Sequence, residues 1–300
     1  MQEIQELFEK LKGNKPLDFL SQFIAPHLVG DEWADIRKAI LLMLATQGDK
    51  AQRMRLHTLL WGGAGLGKTE IMLWIQENLG GVLVNAEHTS KVGLVGNASA
   101  NTKGLLADYD GQVLLLDELD KMSVKDQSGL LQAMEEGAYT IVKGRVRNRY
   151  NAEVRVLASA NDIRKISKPL MDRFDFIFQV KTMPREKRVN GIETIVKNFF
   201  GEEGITGVNI LKEYLKWIEG YEPYIEESDV AVVVNMLKKY ILLTKTAIDG
   251  ISYRNLELSV LRIAHTMAKL EKSSITAKHI EEAIVFKDRM LRKRVGEIEK

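Results

Sequence analysis

The stretch Gly62-Gly63-Ala64-Gly65-Leu66-Gly67-Lys68-Thr69 has the spacing G-x-x-x-x-G-K-[ST]. Its glycines let the backbone bend so that several N–H groups face one anion, and a helix starting behind them adds the positive end of its dipole. Lys68 can then reach the β- and γ-phosphates of a nucleotide while the Thr69 hydroxyl ligates Mg²⁺. The chemistry implied is capture of ATP with Mg²⁺ by residues 62–69, together with Glu70 at the start of the helix.

A second constellation follows. Val113-Leu114-Leu115-Leu116-Asp117-Glu118 is an apolar run ending in two carboxylates, the pattern of a Walker B strand. Asp117 is suited to hold magnesium through its waters, and Glu118 to polarise an attacking water as general base. Leu157-Ala158-Ser159-Ala160-Asn161 closes another apolar run. The Asn161 amide can bond a γ-phosphate or orient the water, although an asparagine after a strand is by itself usually a turn former. Asn85 ends a further run and is either such a turn former or a switch that contacts Glu118.

These side chains need a scaffold that brings them to one edge. Apolar runs at 59–61, 82–84, 113–116, 154–158 and 176–180 alternate with helix-length stretches such as 70–79 and 125–136. That alternation predicts an α/β fold, an αβα sandwich around a parallel sheet buried on both faces. In such sheets ligands gather at the carboxyl ends of the strands, where Gly62, Asp117 and Asn161 all fall. Residues 1–49 read as helical, with Ile36, Ile40, Met43 and Leu44 at helical spacing after a turn at 29–32. Past Pro184 no strand of comparable quality is found. Helices are predicted over 185–200, 210–219, 229–239, 255–270 and 277–292, the last with Thr276 as N-cap. The expected organisation is a helical extension over 1–22, a nucleotide-binding core over 23–181 and a smaller all-helical lid domain over 182–300.

The 300 residues suffice for two domains. With 43 basic against 41 acidic side chains, no whole-molecule field favours nucleic acid or an anionic membrane, and any basic site must be local. The absence of cysteine excludes disulfides, thiolate ligands and cysteine nucleophiles. His27, His57, His88, His265 and His279 lack metal-ligand spacing and are expected to pack or face solvent. Residues 1–13 are charged and amphipathic, and no run approaches the roughly 18 apolar residues of a membrane span, so a soluble cytoplasmic protein is expected.

With these residues in view, the sequence resembles the AAA+ domain of the minichromosome maintenance (MCM) replicative helicases, the archaeal type above all, over nearly the whole chain. FIAPHLVGDEWADIRKAILLML resembles the segment before the family's P-loop, and LLLDELDKM with LLQAMEEG resembles its Walker B strand and following helix. PLMDRFDFIF resembles its arginine-finger motif, and SYRNLE its sensor 2 segment. The resemblance implies an ATP-hydrolysing ring, usually a hexamer, in which Lys68 and Glu118 are catalytic and Asn161 is sensor 1. It also implies that Arg173 is an arginine finger acting on a neighbour's ATP and Arg254 the sensor 2 arginine. GGAGLGKT is closer to the common AAA+ P-loop than to the family's usual Ala-Lys-Ser form, and 91–103 and 162–168 are shorter than the family's equivalents. The family's amino-terminal DNA-binding domain, zinc module and carboxy-terminal winged helix have no counterpart, so a minimal motor is expected.

Between Tyr139 and Val156, the five cations Lys143, Arg145, Arg147, Arg149 and Arg155 against the single acid Glu153 leave a local charge of +4. Alternating Tyr139, Ile141, Val146 and Val154, with a turn at Lys143-Gly144-Arg145, predict a β-hairpin with Arg145, Arg147 and Arg149 on one strand face. Taken alone this reads as a solvated hairpin. It aligns, however, with the family's pre-sensor 1 hairpin, and the resemblance places Lys143, Arg145 and Arg147 against DNA phosphates, contacts independent of base sequence. DNA, further copies of the chain and replication proteins are the implied partners. Two other readings keep the nucleotide site: a MoxR-like remodeller of protein, and a nucleotide-gated regulatory partner of a full-length MCM.

Overall fold

A computed structural model describes residues 2–46, 54–97, 100, 102–143, 146–182, 185–186, 189, 192–193, 196, 204–243 and 252–298. Three helices come first: α1 (Gln2–Lys12), α2 (Pro16–Ser21) and α3 (Asp31–Ala45). Pro16, whose fixed φ suits a first helical turn, opens α2. β1 (Thr58–Trp61) runs through the glycine loop into α4 (Lys68–Leu79), and β2 (Val82–Asn85) follows. A short excursion comprises α5 (Lys91–Val95), the small ladder β3 (Gly96–Asn97) with β4 (Thr102–Lys103), and α6 (Leu105–Asp108). The chain then forms β5 (Val113–Asp117) and α7 (Val124–Glu136). A hairpin of β6 (Ala138–Lys143) and β7 (Val146–Asn151) precedes β8 (Arg155–Ala160), α8 (Lys168–Met171) and β9 (Phe176–Gln179). Four further helices close the chain: α9 (Gly204–Ile218), α10 (Glu227–Leu243), α11 (Ser259–Leu270) and α12 (Ala277–Ile298).

The five apolar strands form one parallel sheet in the order β2-β5-β8-β1-β9. Because side chains alternate across a strand, each run supplies two cores at once. Leu60, Leu115, Leu157, Phe176 and Phe178 face a layer containing α3, α4 and the carboxy-terminal helices. Leu59, Leu114, Leu116, Val156 and Ala158 face the other layer, with Leu130, Ala133 and Met134 of α7. This is the αβα sandwich expected from continuous apolar runs. The run expected at 154–158 lies two residues later at its far end, which brings Ser159 into register with Leu60.

The helical layer is shared by both ends of the chain. Phe8 of α1 is buried edge-on against Tyr214 and tilted against Trp217 of α9, with ring centroids 5.1 and 5.6 Å away. The amino-terminal extension therefore packs on the carboxy-terminal helices. Of the helix expected over 185–200, residues 185–186, 189, 192–193 and 196 are described and helical, and the rest lies outside the described residues. The helix expected to begin at 255 starts instead with a π turn, Arg254–Leu258. Thr276 stands at the N-cap position of α12, its carbonyl accepting from Ile280 N–H at 3.3 Å, and its own N–H bonds His279 Nδ1 at 3.1 Å. Beyond residue 184 the described residues hold a single bridge, Ile225 to Ile275.

Asp175 rivets sheet to helices. Its buried carboxylate accepts from His57 N–H at 3.1 Å and lies 3.2 Å from Arg262 Nη1, while Lys287 Nζ donates to its carbonyl at 2.6 Å. Burial alone would raise its pKa; the charges of Arg254, Arg262 and Lys287 together outweigh that and hold it below the ordinary carboxylate value. His57 is pushed down to about 3, chiefly by burial. It is neutral, Nδ1 accepting from Val156 N–H and Nε2 facing the Met134 carbonyl. Among the described residues no helix is long and apolar enough to cross a membrane.

Candidate active site

The carboxyl ends of β1, β2, β5 and β8 lie on one edge of the sheet, and between them opens a crevice of about 460 Å³. Residues 64–70, Asp117, Glu118, Ser159 and Asn161 line it. Two glycines explain the loop's shape. Gly62 has φ +146°, and a Cβ there would meet the Val180 carbonyl oxygen at 2.2 Å. Gly67, at φ +90°, turns the chain into α4 against Leu28 and Trp33. Arg37 holds that neighbouring segment by donating to the Ala25 and Leu28 carbonyls.

Lys68 Nζ donates to the Gly62 and Gly63 carbonyls at 2.8 and 2.7 Å and to Asn161 Oδ1 at 3.1 Å. Burial pulls its pKa below the ordinary lysine value, and Asp117, Asp120 and Glu118 oppose that shift. Its three donors are thus satisfied while the ammonium faces the crevice. Glu70 lines the crevice mouth with its carboxylate 3.3 Å from His27 Nε2. Thr69 Oγ1 donates to Asp117 Oδ2 at 2.8 Å, so a hydroxyl and a carboxylate converge from helix and strand. Such hard oxygen donors fit Mg²⁺.

Glu118 leaves the sheet with φ 57° and ψ 42°, left-handed backbone that costs a non-glycine residue about 1 kcal/mol. The turn keeps its N–H on Ser159 Oγ at 3.0 Å and on Asp117 Oδ1 at 3.1 Å. Ser159 in turn donates to the same Asp117 oxygen. Asn85 Nδ2 donates to Glu118 Oε2 at 3.3 Å. It also turns the chain, accepting from Glu87 N–H, so the turn and the contact with Glu118 are both present.

Two residues missed from sequence complete the edge. Asp120 is buried and accepts from the N–H groups of Asn161 and Asp162 at 3.0 and 3.2 Å, which fixes the loop after β8. Ser159 stands two residues before Asn161, hence on the same side of β8, and period-two spacing could have found it. Asp120 carried no such signal, because its partners lie some 40 residues away.

Arg173 and Arg254 do not line the crevice. Both engage Glu135 at the end of α7, Arg254 Nε at 2.7 Å and Arg173 Nε at 3.0 Å. The predicted hairpin forms, with Val142 opposite Arg147 and Thr140 opposite Arg149, and both arginines are exposed. Gly144, Arg145 and the side chain of Lys143 lie outside the described residues. Arg155, counted with the hairpin cations, is buried in β8 and donates to the Gly111 carbonyl at 2.6 Å. It is removed from any exposed basic face, and the hairpin's local charge falls accordingly.

A glycine loop joining a parallel strand to a helix, with carboxylates at the tip of an apolar strand one strand removed and the Asn161 strand between them, defines a P-loop nucleotide-binding domain of the AAA+ class. The sequence signature of the MCM P-loop domain matches residues 2–199, and the chain belongs to the MCM family. It is 29% identical over 195 residues to the DNA replication licensing factor MCM3 of Entamoeba histolytica, covering 56% of this chain and 32% of that protein. The DNA replication licensing factor MCM7 of Arabidopsis thaliana is 28% identical over 88% of this chain and 42% of its own. The zygotic licensing factor mcm6 of Xenopus tropicalis is 25% identical over 100% of this chain and 40% of its own. The chain thus spans about a third to two-fifths of the length of these relatives.

Proposed function

We propose that the chain is an ATP-hydrolysing motor of MCM helicase type that works in a ring of subunits and couples hydrolysis to movement along, or unwinding of, DNA. The convergence of Lys68, Thr69, Asp117, Glu118 and Asn161 on one crevice carries this reading. Lys68 would exchange its bonds to the P-loop carbonyls for the β- and γ-phosphates, and Asn161, freed from Lys68, would face the γ-phosphate or the attacking water. Glu118, steadied by Asn85, accepts the proton of that water. Thr69 and Asp117 would hold Mg²⁺, which neutralises phosphate charge when bound. Arg173 and Arg254, set apart from the crevice of their own subunit, would serve the nucleotide of a neighbour.

The exposed arginines of the β6–β7 hairpin support contact with a phosphate backbone, with Lys143, Arg145 and Arg147 as the contact set. The division into an extension (1–22), a core (23–181) and a helical lid (182–300), and the archaeal affinity, belong to this proposal; the three relatives named are eukaryotic. The test is ATPase rate with and without single-stranded DNA, combined with solution mass in ATP. Stimulation by DNA and a multimeric mass are expected. Stimulation by an unfolded protein instead would transfer the reading to a protein remodeller. A monomer insensitive to both would leave the regulatory-partner reading.

A further inference from the structure

Glu135 is half-buried near the end of α7, does not line the crevice, and yet binds both arginines assigned to a neighbour's nucleotide. A single oxygen, Oε2, accepts from Nε of Arg254 at 2.7 Å and has Nε of Arg173 3.0 Å away as an ion pair without hydrogen-bond geometry. The arrangement is braced further. Arg254 Nη1 donates to the Asp172 carbonyl at 2.6 Å, Arg173 Nη1 lies 3.4 Å from Asp172 Oδ2, and Ser252, two residues before Arg254, donates to the other Asp172 oxygen. Two guanidinium groups brought this close repel, and a carboxylate between them is what lets both stay. Burial would raise the Glu135 pKa, but Arg254 and Arg173 together outweigh it and keep the group ionised.

The same helix end is the root of the hairpin. Glu136 ends α7, Gly137 turns the chain in left-handed backbone at φ 68°, and Ala138 begins β6. Gln132, one turn before, accepts from Thr140 N–H of β6 at 3.1 Å and donates to Glu136 at 3.2 Å. The hairpin is thus joined to Glu135 through the backbone of Glu136, Gly137 and Ala138 and through the Gln132–Thr140 bond.

We propose that Glu135 is a positioning residue: it sets Arg173 and Arg254 in one geometry for the adjoining subunit's ATP and ties that geometry to the position of the nucleic-acid hairpin. This rests on the preceding reading that the two arginines act between subunits. Loss of the carboxylate then leaves each subunit's own P-loop intact and impairs only the site it serves.

The experiment uses Glu135→Gln, which keeps shape and one acceptor oxygen but not the charge that reconciles two cations. Turnover is expected to fall roughly ten- to a hundredfold with nucleotide KM changed less than about threefold, the pattern of a weakened transition-state interaction. Stimulation by single-stranded DNA should vanish, and the melting temperature should stay near that of the parent. Mixing Glu135→Gln with Lys68→Ala should recover activity, because mixed rings contain interfaces with an intact P-loop facing an intact Glu135. Normal turnover in Glu135→Gln, with Arg173→Ala inactive, overturns the positioning role alone. Normal turnover in Arg173→Ala as well overturns the trans reading beneath it. Failure of Glu135→Gln to be rescued under conditions that rescue Arg173→Ala places its defect within its own subunit and overturns the proposal.

Discussion

Lys68 and Glu118 sit on the same crevice but make separable demands on the nucleotide. Lys68→Ala removes the ammonium that three crevice oxygens now satisfy, so nucleotide affinity itself should drop, as read by titration with a fluorescent ATP analogue. Glu118→Gln retains the bond from Asn85 and loses the base; bound ATP should accumulate and persist, and a burst of product at the parent's rate would sink the assignment. These two residues were legible because their spacing is local: a glycine loop read off eight consecutive positions, and an acidic pair at the end of one apolar run. Asp120 and Glu135 were not, and Ser159 offered only its period-two spacing from Asn161. Each acts through partners 38 to 119 residues away, and nothing in a linear pattern distinguishes Glu135 from Glu136 beside it.

At the scale of elements, all five sheet strands were readable from their apolar runs, since burial on both faces leaves little room for polar residues. The hairpin was readable from alternation, and its pairing puts Arg147 and Arg149 on one exposed face. Lys143→Ala with Arg147→Ala should weaken DNA binding without regard to base sequence and reduce the slope of log K against log salt by about 1 for each phosphate no longer neutralised. An unchanged slope across a salt titration would remove the hairpin from the DNA-contacting surface. Helix α1 was legible as a helix but not as to its neighbour, because amphipathicity gives a buried face and not its address. The address is Tyr214 and Trp217. Phe8→Ala should cost about 3 kcal/mol or more of folding free energy, measured by denaturant titration. A loss below about 1 kcal/mol would show that the extension contributes little to the fold.

Across the whole molecule, the joint between sheet and helices depends on His57 staying neutral beside the Asp175 rivet. His57 titrates near 6.5 when unfolded and near 3 when folded, so above pH 6.5 it contributes nothing to pH dependence. Below that the unfolded chain takes the proton first, and stability should fall by up to about 1.4 kcal/mol per pH unit. Asp175, held low, adds its own loss only in the range below its unfolded value of about 4. His57→Gln, compared with the parent in thermal melts at pH 7 and pH 5, should show the smaller loss; equal losses would assign the effect to other groups. The order of the sheet has a further consequence, for the way the molecule is made. β1 leaves the ribosome well before its neighbours, because the two strands that flank it arrive only with residues 157 and 176. At typical synthesis rates of about 10 residues per second, that strand waits roughly 10 s with both of its hydrogen-bonding edges open. Nascent chains stopped before β8 should therefore be substrates for chaperones, and refolding from denaturant should lose yield steeply as protein concentration rises.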